Sequence, residues 1–465
     1  MRRSPVLPTA WLLFAGLVSP AQATEDPEEV QVIPLTEISV FETGRSSDLT
    51  RGQYSSCGLE PDAEVHAYPS RKSAEPFYGS IDFGPAAGGV RKYVIDESGG
   101  TGTGHDRLII DLDQDLDLTN DAPLGPHPEP PVRADTYRDL MEQVCFQSFR
   151  VTCDYGPAGE RPVEVLPRLS VRASNDQPYR SMTFTATRAR EGSLTLGDRC
   201  LKLYLGNARY AARPFDGPGT TLLISDEGGR GGSPHWWGGD QLRAMHRLDG
   251  QLYGFSATPL GDELTVRRYR GDLGTFELAA GDRKLEQFSM EGSLENERVA
   301  VAVGQTAEGS WNEPAASCRL PVGNYRPSYL DLEYGHLKIS ISFNYHADGK
   351  PRGYTDRSPV YAIEVRKDQP FILDFSTPPE VMFAAPAKEQ RYRRGEAVEV
   401  LAVLTDPKLD IMFRRIYDTS QTTRKESTSA AGRTSISGRR VSLDPKVIIT
   451  RASGEKIVEG TLPFG

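Results

Sequence analysis

Cysteine is scarce in this sequence, and its cysteines follow no known functional spacing. The five are Cys57, Cys145, Cys153, Cys200 and Cys318. No two of them form a C-x-x-C pair, which excludes a dithiol redox motif and a cysteine-based zinc knuckle. Their odd number leaves at least one thiol free or bonded to another molecule.

Sequence motifs of catalytic sites are also missing. The chain contains no G-x-S-x-G elbow, no H-E-x-x-H pair and no Gly-rich loop that ends in Gly-Lys-Ser/Thr. Paired carboxylates are a different matter, because glycosidases need two such groups about 5–10 Å apart. The chain has 64 acidic residues from which no pair stands out. A secreted, glycosidase-like hydrolase with unidentified carboxylates is therefore an alternative to a non-enzymatic function.

Long apolar runs are absent after the start of the chain. Arg2 and Arg3, an apolar run over residues 6–18 and Ala21-Gln22-Ala23 together are typical of a signal peptide. We expect cleavage after Ala23, and no cysteine follows that would carry a lipid anchor. No later segment approaches eighteen uninterrupted apolar residues, so we expect no transmembrane segment. The sequence predicts an exported protein, periplasmic or extracellular.

Positive charge is in the minority, and the formal net charge is −10 at pH 7. Nucleic acids are bound by basic patches, so we expect no nucleic-acid partner. An acidic surface suits a protein that concentrates divalent cations. The C-terminal part is locally basic, which fits an anionic envelope polymer as a partner or, alternatively, a solvated face. The arginines there are Arg391, Arg393, Arg394, Arg414, Arg415, Arg424, Arg433, Arg439 and Arg440.

Helical periodicity is rare, and short alternating runs separated by Gly or Asp turns fill most of the chain. The exception is Asp135–Val144, where an N-cap residue precedes apolar residues on one face and a short helix is predicted. We therefore predict an all-β, mainly antiparallel protein with multidomain β-sandwich architecture and little helix.

Composition divides the sequence into five segments. Within the last segment, Ser420–Arg440 is rich in Ser, Thr, Gly and Arg and is predicted to be a long mobile loop. The segments are a signal peptide (1–23), an N-terminal extension (24–70), a β domain with an acidic loop (71–175), a second β domain (176–319) and an immunoglobulin-like β-sandwich (320–465).

An acidic stretch follows the apolar run Leu108-Ile109-Ile110, which is typical of a buried strand. Asp111, Asp113, Asp115 and Asp117 recur at every second residue. In an extended strand all four carboxylates would lie on one side, about 6.5–7 Å apart. If the chain turns instead, the carboxylates converge on one point. Calcium takes six to eight oxygen ligands and commonly binds such D-x-D-x-D loops.

Comparison with the EF-hand loop supports a calcium site in part. The first three Asp residues fill the first three ligand positions, and positions seven and nine carry Asp and Thr. Against this, Leu116 stands where Gly permits the sharp turn, and the final Asp lies one position early. The alternative is a solvated acidic strand end that discourages edge-to-edge pairing. The candidate calcium ligands are Asp111, Asp113, Asp115, Asp117, Thr119 and Asp121.

Trp236 and Trp237 are adjacent in the Gly-rich segment 231–239. Their aromatic faces form a candidate ligand platform for a sugar ring or peptide, since rigid rings supply contact area at little entropy cost. Large aromatic side chains are usually buried, so the alternative is that one tryptophan packs in the sandwich core and the other covers an edge. The platform would suit polysaccharide, as in an array of carbohydrate-binding modules.

The C-terminal strands carry a resemblance. Pro445–Thr450, the turn at Gly454 and the run from Glu459 resemble the closing hairpin of immunoglobulin-like sandwich domains. The whole chain resembles uncharacterised exported β-rich bacterial proteins that combine an acidic Asp/Thr loop with such a C-terminal domain. The resemblance implies this plan and carries over no catalytic residues. We expect an exported non-enzymatic protein with a binding or structural role, stabilised by calcium.

Overall fold

The structure, a computed structural model, describes the chain with several gaps. The predicted signal peptide, Trp236 and Trp237 lie outside the described residues. The described ranges are 30–43, 49–50, 52–101, 104–131, 140–173, 178–207, 211–217, 219–226, 241–248, 251–279, 281–282, 288–296, 300–303, 317–352, 362–386, 389–393, 395–428 and 434–462.

Strands make up almost all of the regular structure in these ranges. Short 3-10 turns at Pro85–Ala87, Gly156–Ala158 and Gln241–Arg243 supply nearly all of the helical residues there. The strands are β1 (Val30–Pro34), β2 (Thr36–Ser39), β3 (Gln53–Ser56), β4 (Phe77–Asp82), β5 (Val90–Asp96), β6 (Arg107–Ile110), β7 (Leu140–Cys145), β8 (Phe149–Asp154), β9 (Glu160–Arg172), β10 (Tyr179–Ala186), β11 (Arg188–Leu196), β12 (Arg199–Asn207), β13 (Thr220–Asp226), β14 (Ala244–Leu248), β15 (Gln251–Ala257), β16 (Glu263–Arg268), β17 (Leu273–Ala279), β18 (Phe288–Glu295), β19 (Ala300–Val303), β20 (Ser317–Pro321), β21 (Gly323–Tyr334), β22 (Leu337–Ser342), β23 (Ile363–Val365), β24 (Phe371–Asp374), β25 (Glu380–Ala385), β26 (Leu401–Asp406), β27 (Ile411–Thr428), β28 (Thr434–Ser442), β29 (Lys446–Thr450) and β30 (Lys456–Thr461).

These strands pair almost entirely antiparallel, the parallel pairs being β14 with β19 and β17 with β24. The predicted all-β, mainly antiparallel class is therefore confirmed. In the part of the chain that the structure describes, no helix is long and apolar enough to span a membrane. The sheets are a 13-stranded one (β1-β16-β15-β14-β19-β18-β21-β22-β27-β26-β25, with β23 on β21 and β28 on β27), β3-β10-β9-β7 with β8 on β9, β13-β12-β11-β2, β20-β17-β24, β4-β5-β6 and the hairpin β29-β30.

The N-terminal strands each join a different sheet. Strand β1 pairs with β16, β2 with β11 and β3 with β10. Each of the three stands at the end of its sheet. The sequence predicted an N-terminal extension over residues 24–70, and within it β1, β2 and β3 are hydrogen-bonded to strands from later parts of the chain.

The β4-β5-β6 sheet is buried on both faces, and this position determines where the acidic stretch lies. Alternate residues of a strand point to opposite faces. On β5, Ile95 packs in a core shared with the β3-β10-β9-β7 sheet. This core includes Phe184 of β10. Val94 packs on the other face, in a small cluster that includes Leu118 from the acidic stretch. The chain after β6 therefore folds back over its own sheet.

A further core spans the predicted domain limit at residue 320. Buried residues of β17 and β18, such as Phe276 and Met290, pack with buried residues of β21 and β27, such as Leu330 and Ile411. Strand β18 pairs directly with β21. The C-terminal hairpin β29-β30 pairs with no other strand in the described ranges. The domain limits and the immunoglobulin-like character stay predictions, and the limit at 320 runs through shared strand pairs.

The helix predicted over Asp135–Val144 is wrong where the structure describes it. Residues 140–145 form strand β7, which pairs antiparallel with β9. Backbone pairing with a long, partly buried strand outweighs a short helical pattern, because intrinsic propensity is a weak determinant. Residues 135–139 lie outside the described ranges.

The mobile loop predicted over Ser420–Arg440 is also wrong. Strands β27 and β28 pair as a long hairpin, with Thr428 opposite Thr434, and only residues 429–433 between them are not described. The Ser, Thr and Gly content favoured a loop. Thr is β-branched, however, and suits an extended strand when a partner strand is available.

All five cysteines are free thiols. Cys153 and Cys318 are buried. Burial raises the pKa of both Cys57 and Cys153 to about 11. The thiols of Cys57 and Cys153 therefore act as small apolar groups of the interior rather than as cross-links.

The shared core predicts the behaviour of C-terminal fragments. Residues 320–465 alone lack six buried residues of that core, namely Val301, Cys318 and the large apolar side chains Phe276, Leu278, Met290 and Leu294. Each of the large side chains contributes about 1.5–3 kcal/mol, and the sum approaches the total stability of a domain, about 5–15 kcal/mol. We expect residues 320–465 to give no cooperative thermal transition, and residues 271–465 to give one. Cooperative unfolding of the shorter fragment would contradict the shared core.

Candidate metal centre

The acidic stretch begins where strand β6 ends. The Asp111 amide donates to the Lys92 carbonyl at 2.9 Å, which continues the pairing with β5 for one residue. The Asp111 side chain is buried, with 1% of its surface exposed. From Leu112 to Asp121 the chain forms bends and turns and contains no strand. The extended arrangement, with carboxylates evenly spaced along one side, is therefore not formed.

Three carboxylates converge instead. Asp111, Asp113 and Asp115 each offer an oxygen, and these oxygens lie within 4.8 Å of one another. The loop's own amides fix them, since the Leu116 N–H donates to Asp111 Oδ2 at 3.2 Å and the Asp115 N–H to Asp113 Oδ1 at 3.4 Å. The group can hold a metal ion. The structure thus brings together the three residues that fill the first ligand positions in the sequence comparison.

The sharp turn is made without glycine. Gln114 and Leu116 have φ values of 66° and 63°, in the left-handed region that is unfavourable for side chains with a Cβ. Hydrogen bonds from outside the loop hold them there. The His66 N–H donates to the Leu116 carbonyl at 2.8 Å, and Gln114 Nε2 donates to the Gly88 carbonyl at 2.6 Å. Leu116 therefore does not prevent the turn, although in the sequence it counted against a calcium loop.

The far end of the loop is anchored by Leu118. Its side chain is fully buried against Val94 and Ile109 of the β4-β5-β6 sheet. Its N–H donates to the Ala67 carbonyl at 3.0 Å. Leu112 is exposed by contrast, so only part of the apolar residues in the stretch contribute to the core. The loop is fixed to the sheet at both ends.

Asp121 belongs to the same electrostatic cluster. Burial, followed by repulsion from Asp111, Asp113 and Asp115, raises the pKa of its carboxyl to about 6. Its Oδ1 accepts a hydrogen bond of 3.3 Å from the Leu112 N–H. Its Oδ2 is buried and has no hydrogen-bond partner in the described part of the chain.

Asp111, like Asp121, has a raised pKa and a buried carboxylate oxygen without a described partner. Burial raises the pKa of its carboxyl, and the charges of Asp113 and Asp115 add to the effect, while the Gln114 and Leu116 amides oppose it. Its Oδ1 is buried and, among the described residues, has no hydrogen-bond partner. Buried carboxylate oxygens are costly without a partner. Two such oxygens beside two further carboxylates form a set of hard oxygen donors.

Asp117 and Thr119 are hydrogen-bonded to each other. Thr119 donates to Asp117 Oδ1 from its N–H at 2.9 Å and from its Oγ1 at 2.6 Å. These bonds lower the pKa of Asp117. The two residues satisfy each other and are not part of the converging group. Asn120, which the sequence did not indicate, donates from Nδ2 to Asp115 Oδ2 at 2.7 Å.

Arg91 lies near the cluster without neutralising it. Its guanidinium is buried and donates to the carbonyls of Ala87 and Gly88, at 2.9 and 3.2 Å. Burial lowers the pKa of Arg91, and the charge of Asp111 acts in the opposite direction. The influence of Arg91 on Asp111 is therefore electrostatic, over a longer distance than a hydrogen bond.

The chain has no match among protein-family models, curated proteins or solved structures. Its function must therefore be inferred from the geometry of its own residues. Of the predicted site residues, the structure brings together Asp111, Asp113 and Asp115, with Asp121 beside them. The candidate platform of Trp236 and Trp237 lies outside the described residues.

The raised pKa of Asp121 predicts a pH-dependent cation affinity. Between the ordinary value of 3.8 and the folded value of about 6, the folded loop holds a proton that a bound cation must displace. We expect calcium affinity to fall by up to about ten-fold per pH unit below pH 6, as for the loss of one proton. Calorimetric titrations with calcium at pH 5, 6 and 7 measure this. A calcium affinity equal at all three values would contradict the assignment.

Without calcium, the same carboxyl affects stability in the opposite direction. The folded state binds its proton more tightly than the unfolded chain does, so the free energy of unfolding falls as pH rises from about 4 to about 6. Asp121→Asn keeps an acceptor for the Leu112 N–H and removes the titrating group. Urea unfolding of the calcium-free protein across this range should show a smaller decline for Asp121→Asn than for the wild type.

Proposed function

We propose that this chain is an exported, non-enzymatic protein with a binding or structural role, and that its acidic loop binds calcium. The observation that carries the proposal is the buried Asp111 side chain. One of its oxygens has no hydrogen-bond partner among the described residues, and ligand oxygens of Asp111, Asp113 and Asp115 lie within 4.8 Å of one another. Such a concentration of negative charge requires compensation, and a cation supplies it.

The donor chemistry favours calcium over other metals. All four carboxylates of the cluster are hard oxygen donors, and the converging group contains no His or Cys. Zinc prefers nitrogen and sulfur ligands in tetrahedral sites. Magnesium requires nearly ideal octahedral geometry and releases its waters reluctantly. Calcium accepts irregular sets of six to eight oxygens, which suits a loop of closely spaced carboxylates.

The position of the loop gives the cation a structural role. The loop starts from the end of β6 and returns to the same sheet through Leu118, so a bound ion would fasten both ends of the turn. Ion binding would also remove the repulsion that raises the pKa values of Asp111 and Asp121. The free energy of binding then adds to the stability of the folded state.

The acidic loop does not suit the alternative of a glycosidase. A retaining or inverting pair needs carboxyl groups about 5–10 Å apart with room for a sugar between them. The oxygens in this cluster are closer than that, and the loop's own amides hold two of the carboxylates. Convergence on one small point favours an ion over a sugar ring.

Calcium-dependent stability tests the proposal. At free calcium 100 times the dissociation constant, the expected stabilisation is about 2.7 kcal/mol. The measurement is a thermal melt of the wild type with calcium and with excess chelator. Asp113→Ala is expected to remove most of the difference, because it removes an exposed ligand without cutting the loop's attachment to the sheet.

The matched control is Asp198→Ala, which removes an exposed aspartate from the turn between β11 and β12. It should keep the full calcium response. A wild type that melts at the same temperature in both buffers would rule out the calcium site. If Asp113→Ala were slightly more stable than the wild type in both buffers, the acidic residues would serve only as a solvated strand end.

A further inference from the structure

A cavity of about 270 Å³ lies between two sheets, away from the acidic loop. Strands β2 and β11 form one side of it, and β8 to β10 contribute to the other. Five charged side chains and one phenol contribute to its lining. They are Glu37, Arg150, Glu164, Arg188, Arg190 and Tyr155.

Two guanidinium groups enter the cavity from the same face of β11. Arg188 and Arg190 flank the buried Ala189, so their side chains share a side of the strand. Glu37 stands opposite Arg190 in the pairing of β2 with β11. The ion pairs are long, with 3.8 Å from Arg188 Nε to Glu37 Oε1 and 3.4 Å from Arg190 Nη1 to Glu37 Oε2.

These contacts leave most of the donor capacity unused. A carboxylate that matches a guanidinium makes two parallel bonds of about 2.7–2.9 Å. Glu37 makes one long contact with each arginine instead. The Nε of Arg190 is buried and has no hydrogen-bond partner in the described part of the chain. The arginines are therefore available to an oxyanion with better geometry.

Arg190 is also held in position. Its guanidinium carbon lies 5.8 Å from the centre of the Phe215 ring, and its side chain is 19% exposed. The buried Tyr155 is close enough for the charge of Arg190 to lower the pKa of its hydroxyl, while burial, the larger effect, raises it. Tyr155 therefore stays protonated. The Phe215 ring and the Tyr155 phenol limit the positions that the Arg190 side chain can adopt. Little side-chain entropy is therefore lost on binding.

The second carboxylate of the cavity already has partners. Glu164 accepts hydrogen bonds from Ser148 Oγ at 2.7 Å and from Thr187 Oγ1 at 2.8 Å. The Ser148 bond, opposed by burial and aided by Thr187, Arg188 and Arg150, lowers its pKa, so it remains ionised. Three guanidinium groups thus face two carboxylates, and the cavity keeps an excess of positive charge.

We propose that this cavity is a binding site for the oxyanion group, carboxylate or phosphate, of a small polar molecule. Arg190 and Arg188 provide the fork-shaped donors, and Arg150, which is exposed, adds charge at the edge. The volume is slightly below the usual range of ligand pockets, about 300–1,000 Å³, which limits the ligand to about one sugar ring in size. The site gives the proposed binding role a ligand class. It is independent of the calcium loop, so either can fail without the other.

Calorimetric titration of the full chain tests the site with three probes: galacturonate, inorganic phosphate and neutral galactose. We expect saturable binding of at least one anion and none of galactose. Binding of galacturonate alone identifies a carboxylate ligand, and binding of phosphate alone identifies a phosphate ligand. Both outcomes support the site. Absence of binding by both anions, or binding of galactose as tight as that of galacturonate, overturns it.

Substitutions connect the binding to this cavity. Arg190→Gln is expected to weaken binding of the anion by about ten-fold or more, the effect of one charge-assisted hydrogen bond. Arg150→Gln, at an exposed position that tolerates substitution, should weaken it several-fold. The matched control is Arg161→Gln, on β9 and outside the cavity, which should bind as the wild type does.

Glu37→Gln gives the most specific result. It removes the carboxylate that competes for Arg188 and Arg190, so anion binding should become tighter. A purely structural ion pair gives no such gain. If Arg190→Gln does not fold, Arg150→Gln and Glu37→Gln still decide the matter, because both positions are exposed. Equal affinity in the wild type and Arg150→Gln, or no gain in Glu37→Gln, overturns the assignment.

Discussion

Backbone hydrogen bonding by the strands β1, β2 and β3 is the constraint on which the arrangement of the sheets depends. Strands β1, β2 and β3 follow one another closely in sequence, yet each completes the edge of a different sheet. A strand edge carries unpaired N–H and C=O groups that need partners. One short segment therefore supplies the edges of three sheets and limits how these sheets can lie relative to one another. The same segment carries Glu37, so the geometry of the oxyanion cavity depends on it directly.

Both candidate sites place charge where the protein itself does not balance it. In the acidic loop, Asp111 and Asp121 each have a buried oxygen with no hydrogen-bond partner in the described part of the chain. In the cavity, the Arg190 guanidinium makes a single long contact with Glu37, and its buried Nε has no hydrogen-bond partner among the described residues. Unbalanced charge costs stability in a folded chain. The acidic loop carries unbalanced negative charge and the cavity unbalanced positive charge. The loop therefore suits a cation and the cavity suits an anion.

Local sequence patterns predicted the fold class and the residues at the centre of the candidate metal site. The alternation of apolar residues indicated strands. The spacing of Asp111, Asp113 and Asp115 indicated candidate ligands but left open whether the chain extends or turns there. Sequence reasoning failed where partners are distant. The strand at Leu140–Cys145 depends on pairing with β9, and the turn at Leu116 depends on a hydrogen bond from His66. The cavity could not be predicted, because the register between β2 and β11 has no local signal beyond the alternating Arg188 and Arg190.

The free thiols have a consequence for survival in the exported setting that we propose. Disulfide exchange proceeds through the thiolate, and a pKa of about 11 for Cys57 and Cys153 leaves roughly one molecule in ten thousand ionised at neutral pH. In the folded protein these two thiols thus resist oxidative mispairing kinetically, although the odd number of cysteines permits no complete set of bridges. The vulnerable period is export itself, when the unfolded chain exposes every sulfur to oxidants. Rapid burial of these sulfurs is then a condition for reaching the native state.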